Sequence, residues 1–149
     1  MKYIKGFKMF ESADSDEFII TDETTLQEFE KELESQLDGR YSYGCQHTFQ
    51  DIVTYIVGVS IEATGKTSDE ANDMTSQLES LFDYNEKSIE NEFSDYGRDV
   101  EGTNTYRGKK VCEYEAGGDG YAFSATILDI TELFEDIKRL ISTGDVNEL

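Results

Sequence analysis

Apolar residues recur along this chain in two rhythms, every second position or every third and fourth, and the rhythms divide it into strands and helices. Residues 2–10 alternate, with Tyr3, Phe7 and Met9 on one face and Lys2 and Lys8 on the other, which predicts a strand. An acidic turn over 11–17 and the short apolar run Phe18, Ile19, Ile20 extend it into a hairpin. From Thr24 the rhythm changes. Leu26, Phe29, Leu33 and Leu37 form one helical stripe, Thr24 with Gln27 or Thr25 with Glu28 offers a capping box, and Gly39 supplies a stop. Residues 41–49 have no period and read as a loop.

Residues 51–63 carry the strongest strand pattern, with Val53, Tyr55, Val57, Val59, Ile61 and Ala63 on one face, and predict a central strand. After Gly65, Thr67 and Glu70 make a second capping box. Ala71, Met74, Leu78, Leu81, Phe82, Ile89, Phe93 and Tyr96 then hold one phase at 100° per residue, which predicts a single helix over 67–96 ending at Gly97. Asp83, Tyr84 and Asn85 are the alternative break point. Residues 105–116 and 121–128 alternate on either side of Gly117, Gly118, Asp119 and Gly120, a glycine-rich turn. The last helix has Asp129 as N-cap, Glu132 at its third position, a stripe of Leu133, Phe134, Ile137, Leu140 and Ile141, and Gly144 as its stop. The predicted order is β-β-α-β-α-β-β-α: a single α+β domain, residues 1–149, with an antiparallel or mixed sheet of about five strands packed against three helices.

Composition changes this picture by its charge. The chain has 33 acidic and 13 basic residues, a formal net charge of -20, on a scaffold with 12% aromatic residues that a disordered acidic tail would lack. That charge opposes direct contact with nucleic acid or anionic membranes and favours a basic protein partner. No apolar run approaches the ~20 residues that span a bilayer. The N-terminus has no signal-peptide pattern, and two cysteines are too few for a disulfide framework, so a cytoplasmic location is expected.

Candidate chemistry is thin. Gly65, Lys66 and Thr67 sit where a phosphate-binding loop would end, but Ser60 stands where that loop needs a glycine, and a turn plus an N-cap explains the same residues. Cys45, His47 and Cys112 lack the paired spacing of a zinc site, and two residues on one segment seldom make a nucleophile pair. Asp14 and Asp16 open like a calcium loop, yet Thr25 occupies the position where its closing glutamate belongs. No cofactor, metal site or catalytic residue is expected, and binding is favoured over catalysis.

The acids are unevenly spread. Segment 11–38 holds eleven against Lys31 as its only base, and segment 67–99 holds ten against Lys87 and Arg98. On a helix over 67–96, Glu79, Asp83, Glu86 and Glu90 form a carboxylate row with one charge per ~5 Å of axis. Glu28 with Glu32, and Glu30 with Glu34, repeat the pattern on the first helix. Like charges at this spacing each cost a few tenths of a kcal/mol, so such rows work against their own helices and point to a use outside them. These eight acids are the candidate partner-binding residues.

In size, charge, carboxylate rows and missing catalytic motifs, the chain resembles the small acidic nuclease inhibitors made by phages, the anti-CRISPR and anti-restriction DNA mimics. The resemblance is one of general character and carries no diagnostic motif. It implies a partner that is a CRISPR effector nuclease or a restriction enzyme, with the acids occupying its DNA or RNA channel. The alternatives are an immunity protein that neutralises a cationic toxin, and a structural or assembly protein whose acidity serves solubility.

Overall fold

The structure, a computed structural model, describes residues 17–38, 47–90, 98–116 and 123–144. The element order is α1 (Leu26–Leu37), α2 (Thr48–Ala63), α3 (Ser68–Glu79), β1 (Phe82–Glu90), β2 (Arg98–Tyr106), β3 (Lys109–Ala116), β4 (Phe123–Ile127) and α4 (Thr131–Thr143). The strands form one antiparallel meander in the order β1-β2-β3-β4. The fold is α+β, but the predicted element order is overturned. Four helices and four strands replace three helices and about five strands among the described residues, and the order is α-α-α-β-β-β-β-α. The expected strand at 2–10, its acidic turn up to Asp16, residues 41–46 of the expected loop over 41–49 and the turn at 117–120 lie outside those residues, while Thr48 and Phe49, expected in that loop, begin α2. Phe18, Ile19 and Ile20 belong to no strand or helix.

The largest correction is α2, expected as the central strand. Its run of Val and Ile satisfies both rhythms at once, because Ile52, Val53, Ile56, Val57, Ser60 and Ile61 also fall on one helical face. All six are buried against α1, α3 and α4. Burying an Ile or Val side chain is worth about 1.5–3 kcal/mol. The helix penalty of a β-branched residue is at most about 0.7 kcal/mol, so packing overrides β propensity. The one polar member is satisfied: the Ser60 hydroxyl donates to the Ile56 carbonyl and accepts the Ile20 N–H, each at 2.8 Å.

The predicted helix over 67–96 is also two elements. α3 begins at the expected Thr67–Glu70 capping box and buries Ala71, Met74, Thr75 and Leu78. It stops at Glu79, and the chain re-enters as β1, whose nine residues pair with β2 from Phe82 opposite Tyr106 to Glu90 opposite Arg98. The apolar phase runs through the junction because Leu81 and Phe82 suit either rhythm. The ladder partner that decides the matter lies about twenty residues downstream, where local periodicity does not register it. The predicted strand over 105–116 divides at Arg107 and Gly108. Their φ values of 53° and 81° mark a two-residue hairpin turn with both positions left-handed.

Between sheet and helices, Phe82 packs edge-on against both Phe49 of α2 and Tyr106 of β2, at ring separations of 6.3 and 5.1 Å. Phe29 of α1 stacks on Phe134 of α4 at 5.4 Å. One buried carboxylate joins α4 to the hairpin turn. Asp136 accepts from the Tyr106 hydroxyl at 2.7 Å, the Arg107 Nε at 3.0 Å and the Arg139 Nη1 at 3.1 Å. Burial, and then the neighbouring Asp136, raise the Tyr106 phenol well above its ordinary range, so it stays a donor. Arg107 also donates its backbone N–H to the Leu81 carbonyl at 2.9 Å, which fixes the α3–β1 junction to the same turn.

Removing one partner of a buried ionic cluster costs about 3–5 kcal/mol. Arg107 and Arg139 are partly exposed here, so Asp136→Ala is expected to lower unfolding free energy by about 2–3 kcal/mol in urea titration. A loss below about 0.5 kcal/mol would show that the cluster does not hold α4.

The α4 start differs slightly from expectation, since Ile130 occupies the cap position. Asp129, one residue earlier, accepts the Thr131 N–H at 3.0 Å and pairs with Lys109 at 3.1 Å. The Thr131 backbone N–H, then its hydroxyl and Lys109, hold the Asp129 carboxyl down to about 2, below its ordinary 3.8. A folded pKa below the unfolded one stabilises the fold above about pH 4 and is lost as pH falls through about 2. A carbon-detected NMR titration is expected to show Asp129 turning over near 2 and moving upward in Lys109→Ala.

Candidate partner-binding surface

α1 follows its sequence pattern closely. Thr25 and Glu28 close the capping box, with the Glu28 N–H on the Thr25 hydroxyl at 3.2 Å and the Thr25 N–H on the Glu28 carboxylate at 2.9 Å. Phe29, Leu33 and Leu37 are buried. At 100° per residue, Glu30 and Glu34 fall on one flank of that stripe and Glu28 and Glu32 on the other. Glu28 and Glu34 are exposed, and Glu30 and Glu32 are half-buried. Glu32 accepts from the Gln36 amide at 2.7 Å, so it already serves its own helix.

Glu79, Asp83, Glu86 and Glu90 do not form a row. Glu79 ends α3 and the other three belong to β1. Strand alternation sends Asp83 to the outer face of the sheet and turns Glu86 toward the opposite face. Glu86 accepts from the Tyr114 hydroxyl at 3.0 Å across the intervening strand β2. The side chain of Glu90 lies outside the described residues. The four therefore do not form the expected helical row, and of the eight candidates Glu28, Glu30, Glu32 and Glu34 stand together on one helix.

Gly102 is what lets Tyr114 reach Glu86. A Cβ there would overlap the Tyr114 ring oxygen and Cζ and stand 2.9 Å from the Asn85 carbonyl. Gly102→Ala is expected to cost about 1–3 kcal/mol by overpacking and to shift the Tyr114 ring resonances in NMR. An unshifted ring with wild-type stability would show that the strand crossing is not tightly fitted.

The outer face of the sheet was not foreseen as a unit. Asn85, Lys87, Glu101, Thr103, Thr105, Lys110, Glu113, Glu115, Ser124 and Thr126 line a shallow depression of about 530 Å³ there. Lys87 and Glu101 pair across it at 3.2 Å. Once β1 is recognised as a strand, period-two alternation predicts this face. It presents polar chains and no apolar anchor for a small ligand.

A second depression lies between α1 and β4. Its volume is about 600 Å³, and Lys31, Glu34, Ser35, Leu37 and Asp38 line it opposite Phe123, Ser124, Ala125, Thr126 and Ile127. This groove was missed because strand order, and with it the identity of an edge, is not written in local periodicity.

The remaining candidates have structural explanations. Gly65 turns the chain at φ 105° and Thr67 caps α3, with Glu70 held below its ordinary range by the Thr67 backbone N–H. Cys112 is buried, and burial, then Glu113, push its thiol up to about 12, which removes it as a nucleophile at neutral pH. His47 is exposed and meets the Tyr84 ring edge-on at 5.1 Å. Cys45, Asp14 and Asp16 lie outside the described residues. Among the described residues no three His, Cys, Asp or Glu side chains converge on a metal position, and no helix is long and apolar enough to cross a membrane. Comparison of the chain with protein-family models, curated proteins and solved structures gives no match.

Proposed function

We propose that this protein is an acidic inhibitor that binds the basic nucleic-acid channel of a nuclease, a CRISPR effector or a restriction enzyme, and blocks entry of DNA or RNA. The observation that supports this reading is how the cations are spent. The described ion pairs join Lys87 to Glu101, Arg107 to Glu132 and Asp136, Lys109 to Asp129, and Arg139 to Asp136. None uses an acid of α1 or α3. Lys138 donates to the backbone carbonyls of Asp22 and Thr24 at 2.8 and 2.9 Å instead of neutralising a carboxylate.

Glu28, Glu30, Glu32 and Glu34 on α1, Asp38 at its C-cap, and Asp69, Glu70, Asp73 and Glu79 on α3 thus project a net negative field that Lys31 and Lys66 offset only in part. Such a field steers encounter with a basic groove, and an occupied groove excludes nucleic acid. Carboxylates one helical turn apart, about 6 Å along the axis, are spaced more widely than the ~3.4 Å of phosphates on one strand. The imitation is therefore of charge density and not of register. Because β1 turns Asp83 and Glu86 to opposite faces, α1 is the binding element of choice.

The test is capture from a lysate of a CRISPR-bearing host at about 0.15 M salt, with mass spectrometry and a cleavage assay on what is retained. A stoichiometric basic nuclease whose cleavage stops is the expected result. Reversing Glu28, Glu30, Glu32 and Glu34 to lysine is expected to weaken its binding by a factor on the order of 100 or more, with helix content unchanged by circular dichroism. Undiminished affinity after the reversal would exclude α1 as the contact.

A further inference from the structure

Among the described residues β4 is an edge strand of unusual character. Its ladder with β3 pairs Cys112 with Ile127 through Ala116 with Phe123, with no shift of register. The Leu128 N–H donates to the Val111 carbonyl at 2.9 Å, which sets the alternation of bonded pairs along the strand. Ser124 and Thr126 therefore turn their backbone groups toward β3, while the N–H and C=O groups of Phe123, Ala125 and Ile127 face outward. No described residue bonds to them.

Natural edges are usually blunted by a charge, a proline, a bulge or a cover. β4 reads FSATI and has none of the first three, whereas the other edge, β1, carries Asp83, Glu86, Lys87 and Glu90. α1 runs beside β4 and leaves the 600 Å³ groove between them. The floor holds the half-buried Phe123, Ala125 and Ile127 together with Leu37. Glu34 and Asp38 stand on the wall against the single base Lys31, at the C-terminal end of α1, where the helix dipole adds negative potential and the last turn has no basic residue.

We infer that this groove receives an extended basic peptide of the partner protein as an added strand on β4. The peptide's backbone takes up the outward groups of Phe123, Ala125 and Ile127. Alternate side chains, small or apolar, rest on the floor, and the intervening lysines or arginines face Glu34 and Asp38. At about 3.3 Å per residue, the five residues of β4 accommodate a contact of roughly five. The inference rests on the reading of the protein as an acidic binder and specifies how part of the partner is held.

The probe is a labelled octapeptide of alternating lysine and valine, and a second copy N-methylated at every other residue so that one edge has no donors. Binding is followed by anisotropy at about 0.15 M salt, together with exchange protection of the Phe123, Ala125 and Ile127 amides. The expected result is saturable binding of the first peptide, protection of those three amides, and at least tenfold weaker binding of the methylated copy. Ala125→Pro removes an outward N–H that β3 does not use, so tenfold weaker binding with an unchanged melting temperature is expected. If that variant unfolds, the methylated peptide still decides.

Equal binding of both peptides, or none of either, would overturn the inference. So would a concentration-dependent dimer that Ala125→Pro returns to monomer, since a second copy would then own the edge. Nuclease capture separates the two levels. A nuclease held equally by wild type and Ala125→Pro leaves the inhibitor reading standing and removes the groove. Strand-type peptide binding with no nuclease captured does the reverse.

Discussion

Asp136 is where three separate parts of the fold are tied. Its carboxylate is buried in α4, and the hydroxyl of Tyr106, the guanidinium of Arg107 and that of Arg139 converge on it. Arg107 sits at a left-handed position that costs a non-glycine residue about 1–2 kcal/mol. The ion pair and the bond to the Leu81 carbonyl offset that strain, and through them the β2–β3 turn, the α3–β1 junction and α4 are placed relative to one another. The aromatic contacts of Phe82 with Phe49 and Tyr106 then pack against a frame already positioned.

The same cluster explains where the acidity goes. In a chain with a net charge of -20, cations are scarce, and the structure spends several of them on α4 and its surroundings. Arg107 and Arg139 neutralise a buried acid, Lys109 holds the α4 start through Asp129, and Lys138 ties α4 to the turn before α1. The acids of α1 and α3 take no part in the described ion pairs. The charge asymmetry of the surface thus follows from a core that uses the basic residues first.

What could be read from the sequence depended on whether the deciding force was local. α1, the start of α3 and the end of α4 were legible, because a capping box and a C-terminal glycine act within a few residues; Gly144 closes α4 at φ 71°. α2 was not, because a run of Val and Ile satisfies two rhythms and only neighbours in space choose between them. The α3–β1 break was not, because β2 supplies the reason. The site divided along the same line. The acids of α1 stand on a helix as expected, whereas Asp83 and Glu86 lost their common face to strand alternation. The β4 groove depends on strand order, a property of the assembled sheet.

The position of α4 in the chain has a consequence for synthesis. The Lys138 bonds to the Asp22 and Thr24 carbonyls close a loop of more than a hundred residues, and Asp136 of the same helix ties in the β2–β3 turn. At about 5–20 residues per second, α1 emerges roughly 5–20 s before the helix that anchors it. During that interval Phe29 lacks the Phe134 ring it stacks on, and over its last 29 residues the hairpin turn carries its strained Arg107 without the carboxylate that holds it. The contacts that tie α1, the hairpin turn and the α3–β1 junction together are thus completed only once α4 is available to dock.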